Sequence, residues 1–136
     1  MIYITRVEHF NAAHKLYNPN WSKEKNLEVF GKCAYENFHG HNYNLYVTVK
    51  GTPDPDTGYV ADLKELSQVI KKYVVDKIDH RNINLDVEFM KGKMASTENL
   101  AIAIWDELCH QIPGGELHSI KLYETDRNFV EYLGEK

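Results

Sequence analysis

Two histidines separated by one glycine, His39-Gly40-His41, lead directly into a run that alternates in the manner of a strand. Residues two apart on a strand face the same way, so both imidazoles can converge on one metal ion, and the intervening glycine puts no side chain between them. His14, which closes the segment Phe10-Asn11-Ala12-Ala13-His14, can supply a third ligand. Three histidines with one coordination position left open is the pattern of a catalytic zinc site. Structural zinc is normally closed by four protein ligands, and no second cysteine lies close to Cys33. The competing reading is that a His-x-His pair is simply part of an ordinary strand.

Cys33 stands six positions before His39. Three roles suit it: a fourth zinc ligand, a buried inert thiol, or a base kept as thiolate by a neighbouring cation. A thiolate beside an open metal site can remove a proton from a carbon whose hydroxyl the metal polarises, which is an enolisation. Asp79-His80 offers a carboxylate next to an imidazole, the makings of a proton shuttle, although surface loops often carry the same pair. Glu124 falls within a predicted strand, where a carboxylate calls for a partner: a salt bridge in the plain reading, a bound ligand in the sharper one. Cys109, His9, His110 and His118 lack such an arrangement, and Trp21, Tyr43, Tyr59 and Trp105 are expected to pack.

The elements that must position these groups follow from patterning. Ile2 to His14 is rich in Ile, Tyr, Val, Thr and Phe and predicts a first strand, with a bend near Asn11. The polar stretch from Tyr17 to Lys32 predicts a long loop, and Asn42 to Lys50 alternates as a second strand. Turn formers crowd Thr52 to Gly58. Asp62 caps a predicted helix to about Asp76, with Glu65 placed for a capping box and Leu63, Leu66, Val69, Ile70, Tyr73 and Val74 on the buried face. A second helix is expected over roughly Thr97 to Ile112, introduced by Ser96 or Thr97 and stopped by Pro113-Gly114-Gly115. Leu117 to Thr125 and Phe129 to Leu133 read as a closing hairpin. The sum is an α+β domain over residues 1–136: a four-stranded, mainly antiparallel sheet with two helices packed on one face.

With 136 residues the chain suits one core, and its 43% hydrophobic and 26% charged residues suit a globular one. A net charge of −4 argues against nonspecific nucleic-acid binding, which needs basic surfaces. The two cysteines are too few for a disulfide framework, and neither a signal peptide nor a membrane span is visible, so a cytoplasmic protein is expected. There is no Gly-rich phosphate loop.

The motifs taken in order resemble one family, the 6-pyruvoyltetrahydropterin synthases with the related 6-carboxytetrahydropterin synthases. The resemblance runs from Phe10-Asn11-Ala12-Ala13-His14 through Val29-Phe30-Gly31-Lys32-Cys33, His39-Gly40-His41-Asn42-Tyr43 and Asp54-Pro55-Asp56-Thr57-Gly58. It continues through Asp79-His80-Arg81-Asn82, Ser96-Thr97-Glu98-Asn99 and Tyr123-Glu124-Thr125. What it implies is a Zn2+ held by His14, His39 and His41, with Cys33 as proton acceptor. It further implies a relay through Asp79 and His80, and Glu124 anchoring the guanidine-like edge of a pterin near Thr97 and Glu98. The implied substrate is 7,8-dihydroneopterin triphosphate, from which triphosphate is eliminated as the side chain isomerises. The implied fold is the tunnelling fold, closed into a barrel by a trimer, with two trimers in a hexamer and active sites at subunit contacts. Five residues separate Cys33 from His39, as in biopterin-type synthases, so the pyruvoyl product comes first. The alternatives are the 6-carboxy product of queuosine synthesis, side-chain cleavage to the 6-hydroxymethyl pterin, toward which Glu36 points, and a non-catalytic pterin- or zinc-binding protein.

Overall fold

Strand β1 (Ile2–His14) and strand β2 (His39–Gly51) run antiparallel in the computed structural model, which describes residues 1–135. Lys136, the last residue of the expected domain, lies outside the described residues. The register sets Phe10 against Tyr43, Ala12 against His41 and His14 against His39. These residues alternate with Asn11, Ala13, Gly40 and Asn42, so one face of the ribbon is apolar and ends in histidines while the other is polar. β1 continues without interruption through Asn11.

The remaining strands extend this ribbon. Residues Arg81–Asn82 (β3) pair parallel to the outer edge of β1, β4 (Glu116–Tyr123) pairs with β2, and β5 (Phe129–Tyr132) pairs with β4. The order is β3-β1-β2-β4-β5, five strands rather than the four expected, because a two-residue strand carries no periodicity to read.

The polar stretch expected as loop contains α1 (Lys23–Phe30) and a 3₁₀ turn over Gly31–Ala34. Ser22 caps α1 by accepting from the Lys25 amide, and the buried Asn26 satisfies itself on the Asn18 and Ser22 carbonyls. The helix therefore forms around a polar anchor and gives no apolar stripe.

Asp62 caps α2 (Leu63–Ile70) as expected, accepting from the Lys64 amide. The helix continues through a π turn over Lys71–Val75 into α3 (Asp76–Ile78). Leu66, Ile70, Val74 and Ile78 are fully buried, whereas Leu63 is exposed at the helix start. A single extra residue in a π turn shifts the face that follows, which extends the helix past its expected end and aims Ile78 inward. Helix α4 (Thr97–Leu108) is capped by Ser96, which accepts from the Asn99 amide, and ends four residues short of Ile112. α2 packs on β1, and α4 packs on β4 and β5. The core between them holds Phe10, Tyr43, Leu45, Val47, Leu100, Ile104, Ile120 and Leu122. Trp21 stacks on Phe30 and Trp105 meets Tyr132, but Tyr59 is exposed rather than packed. No helix among the described residues is long and apolar enough to cross a membrane.

Candidate metal centre and active site

The paired strands bring His14, His39 and His41 together at one end of the helix-covered face. Their rings lie 4.6 to 5.0 Å apart by centroid, and one nitrogen of each lies within 4.8 Å of the others. His14 is directly opposite His39, and His41 is its diagonal neighbour, so the cluster is a consequence of register. His14 is 2% exposed. Its Nδ1 lies 2.7 Å from the Ala95 carbonyl just before α4, so Nδ1 carries the proton and Nε2 presents its lone pair.

The Nε2 atoms of His14 and His41 are buried without a hydrogen-bond partner. Buried polar atoms are rarely left so, and two of them converging on a third imidazole fit a divalent cation bound through neutral rings. Desolvation is the largest influence on all three rings and holds each below the ordinary 6.5 of histidine, which favours the neutral, ligating form.

Glu124 closes one side of this cluster. Its Oε1 is 3.3 Å from His41 Nε2, without the alignment of a hydrogen bond, and its Oε2 accepts from the Thr97 hydroxyl in the first turn of α4. The carboxylate thus finds a partner that sequence spacing did not disclose. Thr97 is buried while Glu98 is exposed, and both border a hollow of about 260 Å³ with Glu124, Asn128 and Phe129.

Cys33 is half-buried on the 3₁₀ turn after α1, outside the group whose donor atoms cluster within 4.8 Å. Its carbonyl accepts from the Leu16 amide at 2.7 Å, which ties the turn to the chain just past His14. Beside it Lys15, Tyr17, Lys23, Tyr35 and Glu36 line a cavity of about 450 Å³. Asp79 and His80 sit elsewhere, at the outer edge of β1. Asp79 accepts from the Asn11 amide at 2.8 Å, the His80 amide donates to the Asn11 carbonyl at 2.6 Å, and the two side chains meet at 3.0 Å. The Asn11 amide, and then His80, hold the Asp79 carboxyl below its usual range. His80 has a left-handed backbone, φ 61°, and its side chain is 76% exposed. It borders a hollow of about 530 Å³ with Asn11, Asn42, Arg81 and Asp86, which His41 also touches.

Two contributors were not anticipated. The Ala95 carbonyl has no side-chain signature in sequence. Tyr43 does, since it continues the alternation of His39 and His41 onto the same face. It is fully buried and stacked on Phe10 at 4.9 Å, its ring 5.7 Å from His41. Burial, and then the Glu124 charge, push its phenol well above the ordinary 10.0, so it stays protonated.

An α+β sheet that gathers three neutral imidazoles beside a preset carboxylate defines a binding site of the kind metal-dependent enzymes build. The sequence matches the family described as 6-pyruvoyl tetrahydropterin synthase over residues 3–135. It is 44% identical over 132 residues to the 6-pyruvoyl tetrahydrobiopterin synthase of Pongo abelii and 43% identical over 132 residues to that of Homo sapiens. Each alignment covers 97% of this chain and 91% of the relative. The solved 6-pyruvoyl tetrahydropterin synthase of Caenorhabditis elegans superposes with a TM-score of 0.92 at 38% identity, covering 98% of this chain and 96% of that one. The chain belongs to the 6-pyruvoyl tetrahydropterin synthase family.

Proposed function

We propose that the chain, residues 1–136 acting as one domain, is a zinc-dependent carbon–oxygen lyase of the cytoplasm. Its reaction converts 7,8-dihydroneopterin triphosphate into 6-pyruvoyltetrahydropterin and eliminates triphosphate. The observation that carries the reading is the set of unpartnered imidazole nitrogens of His14 and His41 beside Glu124, which is itself held by Thr97. Membership of the family, at 43–44% identity to the two primate synthases, supports the same reaction.

His14, His39 and His41 would hold the ion. When bound there, Zn2+ supplies Lewis acidity toward the hydroxyl oxygens of the substrate side chain and so acidifies the adjacent C–H bonds. Cys33 is the base that accepts the carbon-bound proton. Asp79 fixes the His80 imidazole, and the pair passes protons to and from the site. Glu124 accepts from the guanidine-like edge of the pterin while Thr97 fixes its other oxygen, and Glu98 flanks the same hollow. A homo-oligomer, a trimer or a hexamer, completes the sheet and brings these groups together.

The test is incubation of the zinc-loaded protein with dihydroneopterin triphosphate and mass analysis of the pterin, with Cys33→Ala alongside. The expected result is a pyruvoyl product, lowered by about 10²- to 10⁴-fold in the variant while zinc stays bound. A carboxylated or hydroxymethyl pterin would replace the product assignment. Undiminished turnover in the variant would remove Cys33 from the base role.

A further inference from the structure

Among the described residues, three buried side-chain polar atoms have no hydrogen-bond partner: His14 Nε2, His41 Nε2 and the Tyr43 hydroxyl. A metal ion accounts for the two nitrogens. It does not account for the phenol, which can donate a hydrogen bond and is paired with nothing. A buried polar group left this way costs free energy, so its retention at a site calls for a state in which it is used.

The position of Tyr43 narrows what that state is. The register of β2 against β4 ends at Asn44 opposite Tyr123, so Tyr43 and Glu124 are the next neighbours across the two strands. On the other side Phe10 stacks on the Tyr43 ring at 4.9 Å and 17°, which leaves the phenol little freedom of tilt. Glu124 has one oxygen satisfied by Thr97 and the other drawn to His41 Nε2, 3.3 Å away. A cation on the lone pair of His41 Nε2 leaves that nitrogen no proton to give, so Glu124 Oε1 takes no hydrogen bond from it.

We propose that Tyr43 is a positioning residue for Glu124: its hydroxyl donates to the Glu124 carboxylate when a metal ion occupies the three histidines. The cost of the buried phenol is offset when Glu124 Oε1, which accepts from neither Thr97 nor His41, gains a charge-assisted hydrogen bond from it. Tyr43 touches neither the metal nor the reacting atoms. It keeps Glu124 turned to the hollow it shares with Thr97 and Glu98.

The inference rests on the metal reading of the histidines, so the test measures binding of metal alone, independently of turnover. Zn2+ affinity, measured by chelator competition, is compared for wild type, Tyr43→Phe, Glu124→Ala and the double variant. Tyr43→Phe should weaken Zn2+ binding by about 10- to 100-fold, the equivalent of one hydrogen bond to a charged group. In the Glu124→Ala background the same change should matter by less than about threefold, the scatter of uncoupled sites. Thermal melting of the metal-free proteins should show Tyr43→Phe as stable as wild type or more so. Equal Zn2+ affinity of Tyr43→Phe and wild type, an undiminished effect without Glu124, or a lower melting point of metal-free Tyr43→Phe would each overturn the role of Tyr43. Absence of Zn2+ binding by the wild type would overturn the metal reading itself.

Discussion

Burial makes His14, His39 and His41 poor bases, and the nearby Glu124 only partly offsets it. In the metal-free protein each folded imidazole protonates below the 6.5 of an unfolded one, so as pH falls the unfolded chain takes up protons first. These residues therefore contribute full stability above pH 6.5, lose it as the pH drops below that value, and stop losing it once the folded rings are protonated. Urea midpoints of chelator-treated protein from roughly pH 8 to roughly pH 5 should fall on the acid side, and the fall should be smaller in His14→Gln. A flat profile, or a fall unaffected by His14→Gln, would contradict the burial account. At this scale the sequence was most informative about the histidines, because a two-residue period and one register fix where three rings meet. It singled out Glu124 and Thr97 as site residues but not their contact, which joins residues 27 apart by a packing that no local pattern encodes.

Helix α4 does more for the site than close the core, since its first turn supplies the Thr97 hydroxyl to Glu124 and the residue before its cap supplies the Ala95 carbonyl to His14. Both depend on the Ser96 cap, whose side chain accepts from the Asn99 amide. Ser96→Ala should cost about 1 kcal/mol of stability. It should also weaken Zn2+ binding several-fold, because the backbone that orients His14 is freed. Asp62→Ala removes the equivalent cap from α2 and should cost about as much stability. It should leave Zn2+ affinity unchanged, because α2 carries none of the site groups. Melting curves and chelator titrations of the two variants separate the effects; equal affinities would show that the α4 cap does not orient the centre. The Asp62 cap was legible in sequence, and the α4 cap to within Ser96 or Thr97, as were β1 from end to end and the closing hairpin, because capping and alternation are local. Helix α1 and strand β3 were not. One is organised by the hydrogen bonds of the buried Asn26, and the other by β1 accepting a two-residue partner held through the Asn11 backbone.

On the scale of the whole molecule, the groups proposed for one reaction do not gather in one chain. Glu124 and the histidines share the helix-covered face, whereas Asp79 and His80 hang from Asn11 on the outer edge of β1, and Cys33 is tied to Leu16. Among the described residues, neither Cys33 nor the Asp79–His80 pair belongs to the group of donor atoms that lie within 4.8 Å of one another, while a proton relay works at hydrogen-bond reach of about 3 Å. The exposed His80 borders instead the hollow of about 530 Å³ that runs from the outer edge of β1 to His41. The helix-free face supports assembly: Tyr46, Tyr123 and Phe129 form a ring ladder across β2, β4 and β5, with Phe129 half exposed. Unpaired edges at β3 and β5 would be removed by closure with neighbours. If each site takes Cys33 from one subunit and His80 from the next, Cys33→Ala and His80→Ala proteins are each inactive alone but complement each other. Unfolding them together and refolding the mixture should restore about a quarter of wild-type turnover, since random assembly places both intact residues at one site in four. Recovery of nothing above the two parents, in a mixture that sediments as the wild-type oligomer, would place the whole relay within a single chain.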